Sequence, residues 1–110
     1  MSDELTIPLH LAHRLRERGV DMGFGIVGDY ALRLFADLEA DGFPIKVTAD
    51  EQGAAFAADA FARLKGLGVV AVTYGVGGLK IANAVAGAWA EQVPLLVISG
   101  APGMRERAGD

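Results

Sequence analysis

The chain contains no cysteine, which excludes disulfides and thiolate metal sites without fixing the compartment. It lacks an excess of positive charge: 10 Lys and Arg face 14 Asp and Glu, for a net charge of −4. No basic stripe interleaved with aromatics occurs, so the footprint of a phosphate backbone is missing and no nucleic-acid partner is expected. Long hydrophobic runs are missing too. The longest uncharged stretch, Gly66 to Leu79, is shorter than the roughly 18 apolar residues of a membrane span and is rich in glycine, so no membrane partner is expected. The opening MSDEL is acidic where a secretory leader is basic and then apolar, and a cytoplasmic location is the expectation.

What remains is apolar and small. Of the 110 residues, 52% are hydrophobic and 15 are glycine, which suits one globular domain and leaves little room for a complete enzyme with a large cofactor. Thr6 is placed to cap a helix with Pro8 in its first turn, Ile7, Leu11 and Leu15 on one stripe, and Gly19 as the stop. Met22 to Val27 reads as a short strand. Asp29 is placed to cap a second helix carrying Ala31, Leu34, Phe35 and Leu38 at helical spacing before Gly42. Ile45 to Thr48 is the next strand, and Glu51 to Lys65 the next helix, with Asp50 as N-cap and Gly66 just past its end. Alanines and phenylalanines occupy nearly every face of that helix, which predicts burial on more than one side. Val69 to Thr73 reads as a strand, Tyr74 to Gly78 as a glycine loop, Leu79 to Glu91 as an alanine-rich helix and Leu95 to Ser99 as a last apolar strand. Strands alternating with helices imply an α/β fold, a parallel sheet with helices on both faces.

Ligands of such sheets gather at the carboxyl ends of the strands. The candidates there are Gly28-Asp29-Tyr30, Asp50-Glu51, Thr73-Tyr74-Gly75 and Ser99-Gly100. GFGIVG at 23–28 also matches a dinucleotide fingerprint, with Asp50 near the spacing of a ribose-binding acid, but the apolar strand overlaps the glycines instead of preceding them. GVGG at 75–78 lacks the Lys-Ser/Thr ending of a nucleotide P-loop and reads as a turn that lets helix and strand pack closely. An acid at Glu51 is explained in part by the helix dipole alone. The small residues around it, Gly53, Ala54, Ala55, Ala57 and Ala58, add a reason to expect a flat ligand or another subunit close by. His10 and His13 read as surface residues, and Trp89 and Tyr74 as packing.

Three stretches, FGIVGDYALRLF, DEQGAAFAADAFARLKG and VTYGVGGLKIANAVAGAWAEQVPLLVISGAP, together resemble the N-terminal, pyrimidine-binding domain of thiamine-diphosphate-dependent 2-oxo-acid decarboxylases, the pyruvate, indolepyruvate and phenylpyruvate decarboxylase group. The likeness runs from about Leu9 to Pro102. It implies that Glu51 hydrogen-bonds the N1′ nitrogen of the cofactor's aminopyrimidine, favouring the imino tautomer whose 4′ nitrogen removes the thiazolium C2 proton. It implies a proton-handling role for Asp29 near the substrate. Thr73 and Gly75, with Gly28, would flank the pyrimidine, and Tyr30 would line the site. No metal ligand is expected here: Mg2+ and the diphosphate of thiamine diphosphate belong to a domain absent from this chain, supplied by the same or a partner subunit. Residues 1–102 would then be an incomplete pyrimidine domain and 103–110 the start of a connection, inactive alone and part of a homodimer or tetramer acting on a small 2-oxo acid.

Three departures from the family pattern stand out. Val27 occupies a usual proline before Gly28-Asp29, the family's paired histidines after SGAP are not found, and no Gly-Asp-Gly with a downstream asparagine, the family's magnesium and diphosphate site, occurs. Alternatives left open are a carboligase resembling acetolactate synthase, which Gly28-Asp29-Tyr30 disfavours, the small subunit of a split decarboxylase, a non-catalytic interaction module, and a nicotinamide-binding domain.

Overall fold

A computed structural model describes residues 4–109, with the Tyr30 side chain outside the described residues. Thr6 caps α1 (Ile7–Glu17), its hydroxyl accepting the Leu9 N–H at 3.4 Å, and Pro8 lies in the first turn. Ala12 and Leu15 turn into the core, whereas Ile7, expected on the same stripe, is left exposed at the helix start. β1 (Gly23–Gly25) is shorter than its apolar run, although the Ile26 N–H still bonds the Ala71 carbonyl. A single 3-10 turn over Asp29–Ala31 leads into α2 (Leu32–Ala40), followed by β2 (Ile45–Val47). Next come α3 (Glu51–Lys65), β3 (Gly68–Val72), the short α4 (Val76–Lys80), α5 (Ala82–Ala90), β4 (Leu95–Ser99) and one exposed turn, α6 (Met104–Arg107).

The four strands form one sheet in the order β2-β1-β3-β4, and every pair is parallel. Alternation along β3 shows how both faces are covered. Val70 and Val72 pack with Ala54, Ala55 and Ala58 of α3 and with Ile81 and Ala84. Val69 and Ala71 turn to the opposite face, toward α1 and α2, where Ala12, Leu15, Phe35 and Leu38 meet them. All five residues of β3 are buried. A strand sealed on both faces has no polar side to present, which is why its sequence is a continuous apolar run, Gly-Val-Val-Ala-Val.

The GFGIVG pattern finds its place here as well. Gly23 and Gly25 lie within β1, paired to β2 and β3, not in a turn after a strand. A Cβ at Gly25 would sit 2.2 Å from the Ala71 carbonyl oxygen, so this glycine serves strand packing and no dinucleotide fingerprint is formed.

α3 is defined at both ends as its sequence predicts. Asp50 Oδ1 accepts the Gly53 N–H at 2.8 Å, and Gly66 ends the helix at φ 94°, a conformation open to glycine at no cost. The inner face is alanine because the sheet is close: a Cβ on Gly68 would lie 2.0 Å from the Ala58 carbonyl oxygen. The expectation of burial on several sides is corrected within this chain. Phe56 and Leu64 on the outer face are 46% and 85% exposed, because the sheet and α5 reach only one side of the helix. Asp59, a buried charge, is held by Arg63 at 2.5 Å, and Arg63 also reaches Glu91 beyond the end of α5. The Asp59 and Glu91 carboxylates together raise the guanidinium above its usual value.

Helix α4 replaces part of the expected glycine loop. Gly75, at φ 71°, reverses the chain directly into it without a side-chain cap. Lys80 at its end reaches Asp50 Oδ2 at 3.4 Å. The Gly53 N–H and the Lys80 ammonium both favour the ionised Asp50, holding its carboxyl below the usual carboxylate value despite some desolvation.

Two outcomes follow from this packing. Gly68→Ala is expected to lower unfolding stability by about 3 kcal/mol, whereas Gly87→Ala, at an open helical position, should raise it by about 0.5–1 kcal/mol; chemical denaturation reads both. Because the folded Asp50 pKa is depressed, its contribution is full above the unfolded value and is lost as pH falls through the folded one. Asp50→Asn keeps the cap acceptor but does not titrate, so its thermal midpoint should lie below the parent's at neutral pH and converge with it in acid, below the ordinary aspartate pKa.

Candidate functional site

The strand order creates one reversal. From β1 the chain passes through α2 to β2 on one side, while β3 lies on the other side of β1 and leads on to β4. The carboxyl ends of β1 and β3 therefore open into the crevice where open α/β sheets bind ligands. An open hollow of about 420 Å³ occupies that position, lined by Asp29, Thr73, Tyr74, Gly75 and Val76. A larger hollow of about 520 Å³ lies at the amino end of β4, beside Ala88, Trp89 and Pro94. No ionisable side chain lines it, so it offers no acid–base chemistry.

Each predicted residue can be located against this crevice. Gly28 follows β1 and packs on Thr73: a Cβ there would come 2.8 Å from the Thr73 Cβ. Asp29 opens the 3-10 turn, closed by the Ala31 N–H on the Gly28 carbonyl at 2.9 Å. It does not cap α2 as expected, since Ala31 stands at that position without a side-chain bond. Its carboxylate is instead exposed at the edge of the hollow. Thr73 and Gly75 line the hollow with it. Tyr30 follows Asp29 in the turn, with its side chain outside the described residues.

Glu51 belongs to a third element and is not one of the residues lining the hollow. It is the first residue of α3, half-buried, and its Cγ lies 3.8 Å from where a Cβ on Gly77 would be. That virtual Cβ would also stand 3.2 Å from Thr73 Cγ2. Gly77 thus joins Glu51 to the Thr73 wall, and a side chain there would separate them. No hydrogen bond or ion pair to another described residue engages the Glu51 carboxylate, in contrast to its neighbour Asp50, which is doubly engaged. The site pairs a structural acid with an open one.

Two residues read as packing are corrected. Trp89 is 86% exposed, because Ala84 and Ala88 form the inward stripe of α5 and the next residue turns outward. Tyr74 is 42% exposed and lines the hollow, being the second residue past the end of β3. Sequence reasoning missed Gly77, Val76 and Lys80. The small residues of GVGG signalled close packing, but nothing in the chain itself revealed that Gly77 packs against Glu51 or that Lys80 faces Asp50. Among the described residues no cluster of His, Cys, Asp or Glu is arranged to hold a metal ion, and no helix is long and apolar enough to cross a membrane.

Comparison with known proteins agrees with this fold class. Indole-3-pyruvate decarboxylase of Azospirillum brasilense is 49% identical over 98 residues, 87% of this chain and 18% of that protein. Pyruvate decarboxylase of Hanseniaspora uvarum is 40% identical over 106 residues, 96% of this chain and 19% of the relative. Pyruvate decarboxylase 2 of Oryza sativa subsp. japonica is 42% identical over 100 residues, 90% of this chain and 16% of the relative. The chain therefore spans less than a fifth of the length of these relatives. Residues 6–109 match the model of the thiamine pyrophosphate enzyme N-terminal TPP binding domain, and with its parallel sheet and β1–β3 crevice the chain belongs to that family.

Proposed function

We propose that this chain forms the pyrimidine side of a thiamine-diphosphate-dependent 2-oxo-acid decarboxylase. The observation that carries the reading is a half-buried Glu51 with no polar partner among the described residues, its side chain against Gly77 close to the switch point of the sheet. The names of the relatives, indole-3-pyruvate and pyruvate decarboxylases, support the reaction class. The residues fit the cofactor's flat ring. Gly75 lines the hollow with open space where a Cβ would be, which suits a planar group, and Glu51 has unused hydrogen-bonding capacity.

Glu51 would hold the N1′ nitrogen of the aminopyrimidine, sharing a proton with it. Gly28, Thr73 and Gly75 would flank the ring, with the glycines permitting close backbone approach. When bound, thiamine diphosphate supplies the electron sink that accepts the pair left as carbon dioxide departs. Asp29, at the rim, would exchange a proton with the reacting 2-oxo acid; its exposure leaves it accessible from the hollow. Mg2+ and the diphosphate would be held by a second domain, of the same or a partner subunit, in a homodimer or tetramer.

In the complete enzyme, Glu51→Gln should lower kcat by about 100-fold or more while circular dichroism and the thermal midpoint stay near those of the parent. Turnover within a few-fold of the parent would refute the role.

A further inference from the structure

The segment beside Glu51 has little reason of its own to be helical. α4 reads Val-Gly-Gly-Leu-Lys, and its N-cap Gly75 provides no side-chain bond. Two glycines in five residues each disfavour helix by about 1 kcal/mol relative to alanine, and five residues are too few for a stable isolated helix. Yet this segment carries Gly77 against the Glu51 side chain and Val76 along the hollow. Something outside α4 must keep it in place.

Beside the packing of Gly77 on Val72 and Thr73, the Lys80–Asp50 pair offers one such tie. Lys80 is the last residue of α4, where a cation interacts favourably with the exposed carbonyls, and its ammonium reaches across to the N-cap carboxylate of α3. Asp50 divides its two oxygens: Oδ1 accepts the Gly53 N–H and Oδ2 faces Lys80. Thr48 Oγ1 donates to the Asp50 carbonyl at 2.6 Å, fixing the turn that presents both acids. Helix carbonyls, ammonium, carboxylate and helix N–H groups thus alternate in sign from one helix to the next. The residue after this junction is Glu51.

We propose that Lys80 is a positioning residue for the cofactor hollow: its ion pair with Asp50 latches α4 to the start of α3 and sets Gly77 and Val76 relative to Glu51. The role rests on the cofactor reading above. Both side chains are about half exposed, so the effect is modest, and salt, which screens exposed pairs, weakens it. Because Asp50 is ionised well below neutrality, the latch stays closed throughout the neutral range.

The test uses the complete enzyme with Lys80→Met, Asp50→Asn, the double variant and Lys80→Arg; Asp50→Asn retains the acceptor for the Gly53 N–H. In the cofactor-free protein, exchange of the Leu79 amide, which bonds the Gly75 carbonyl at 2.8 Å, should speed up by about three- to five-fold in either single variant. Calorimetric affinity for thiamine diphosphate with Mg2+ should fall by a similar factor. The double variant should resemble the singles, Lys80→Arg should resemble the parent, and the ratio of parent to Lys80→Met affinity should approach one at about 1 M salt.

Faster Leu79 exchange with unchanged affinity would overturn the positioning role, as would additive effects of the two single variants. Failure of the parent enzyme to bind thiamine diphosphate would overturn the cofactor reading and the positioning role with it. Leu79 exchange would still report separately on the latch.

Discussion

The close contact between α3 and β3 governs the architecture. Gly68 has no room for a Cβ beneath the Ala58 carbonyl, and Ala54, Ala55 and Ala62 complete a helix face without bulk. The helix can therefore lie directly on the central strand. This contact fixes the height of its N-terminus over the sheet, and so the point in space where Glu51 emerges. Larger residues on that face would lift the helix and carry the carboxylate away from Thr73. Packing at the amino end of β3 thereby helps to set the position of a side chain near its carboxyl end.

Electrostatics divides the same helix into two jobs. At its far end Arg63 ties the buried Asp59 to Glu91 and so joins α3 to the segment after α5. At its near end Asp50 takes the cap and the Lys80 ammonium, while Glu51 takes neither. Of two adjacent acids in one turn, the first is engaged and the second is left open. An acid already committed to a cap cannot equally serve a ligand. One with open lone pairs, half out of water, can.

Periodicity carried most of the fold because this chain is locally consistent. The boundaries of α3 follow from Asp50 and Gly66, two positions whose chemistry suits only helix ends, and β4 follows from an apolar run long enough to pair throughout. β1 was less legible: its apolar residues extend to Val27, but Val27 itself is exposed and unpaired. The α4 turn was illegible for a different reason. Its glycines are poor helix formers, and besides neighbouring Thr73 the residues it meets, Glu51 and Asp50, belong to a helix far away in the sequence. Asp29 was misjudged as a cap because a 3-10 turn intervenes before α2. Glu51 could be singled out from the sequence by its small neighbours and by family likeness, whereas its partner surface, Gly77, required coordinates.

The account turns on a hydrogen bond between Glu51 and the N1′ nitrogen of the cofactor's pyrimidine. The most direct measurement is the nitrogen-15 chemical shift of thiamine diphosphate labelled at N1′ and bound to the complete enzyme. A shift displaced from that of the free cofactor toward a proton-sharing nitrogen, and returned toward the free value by Glu51→Ala, is the predicted result. An N1′ resonance indifferent to the presence of that carboxylate would contradict it.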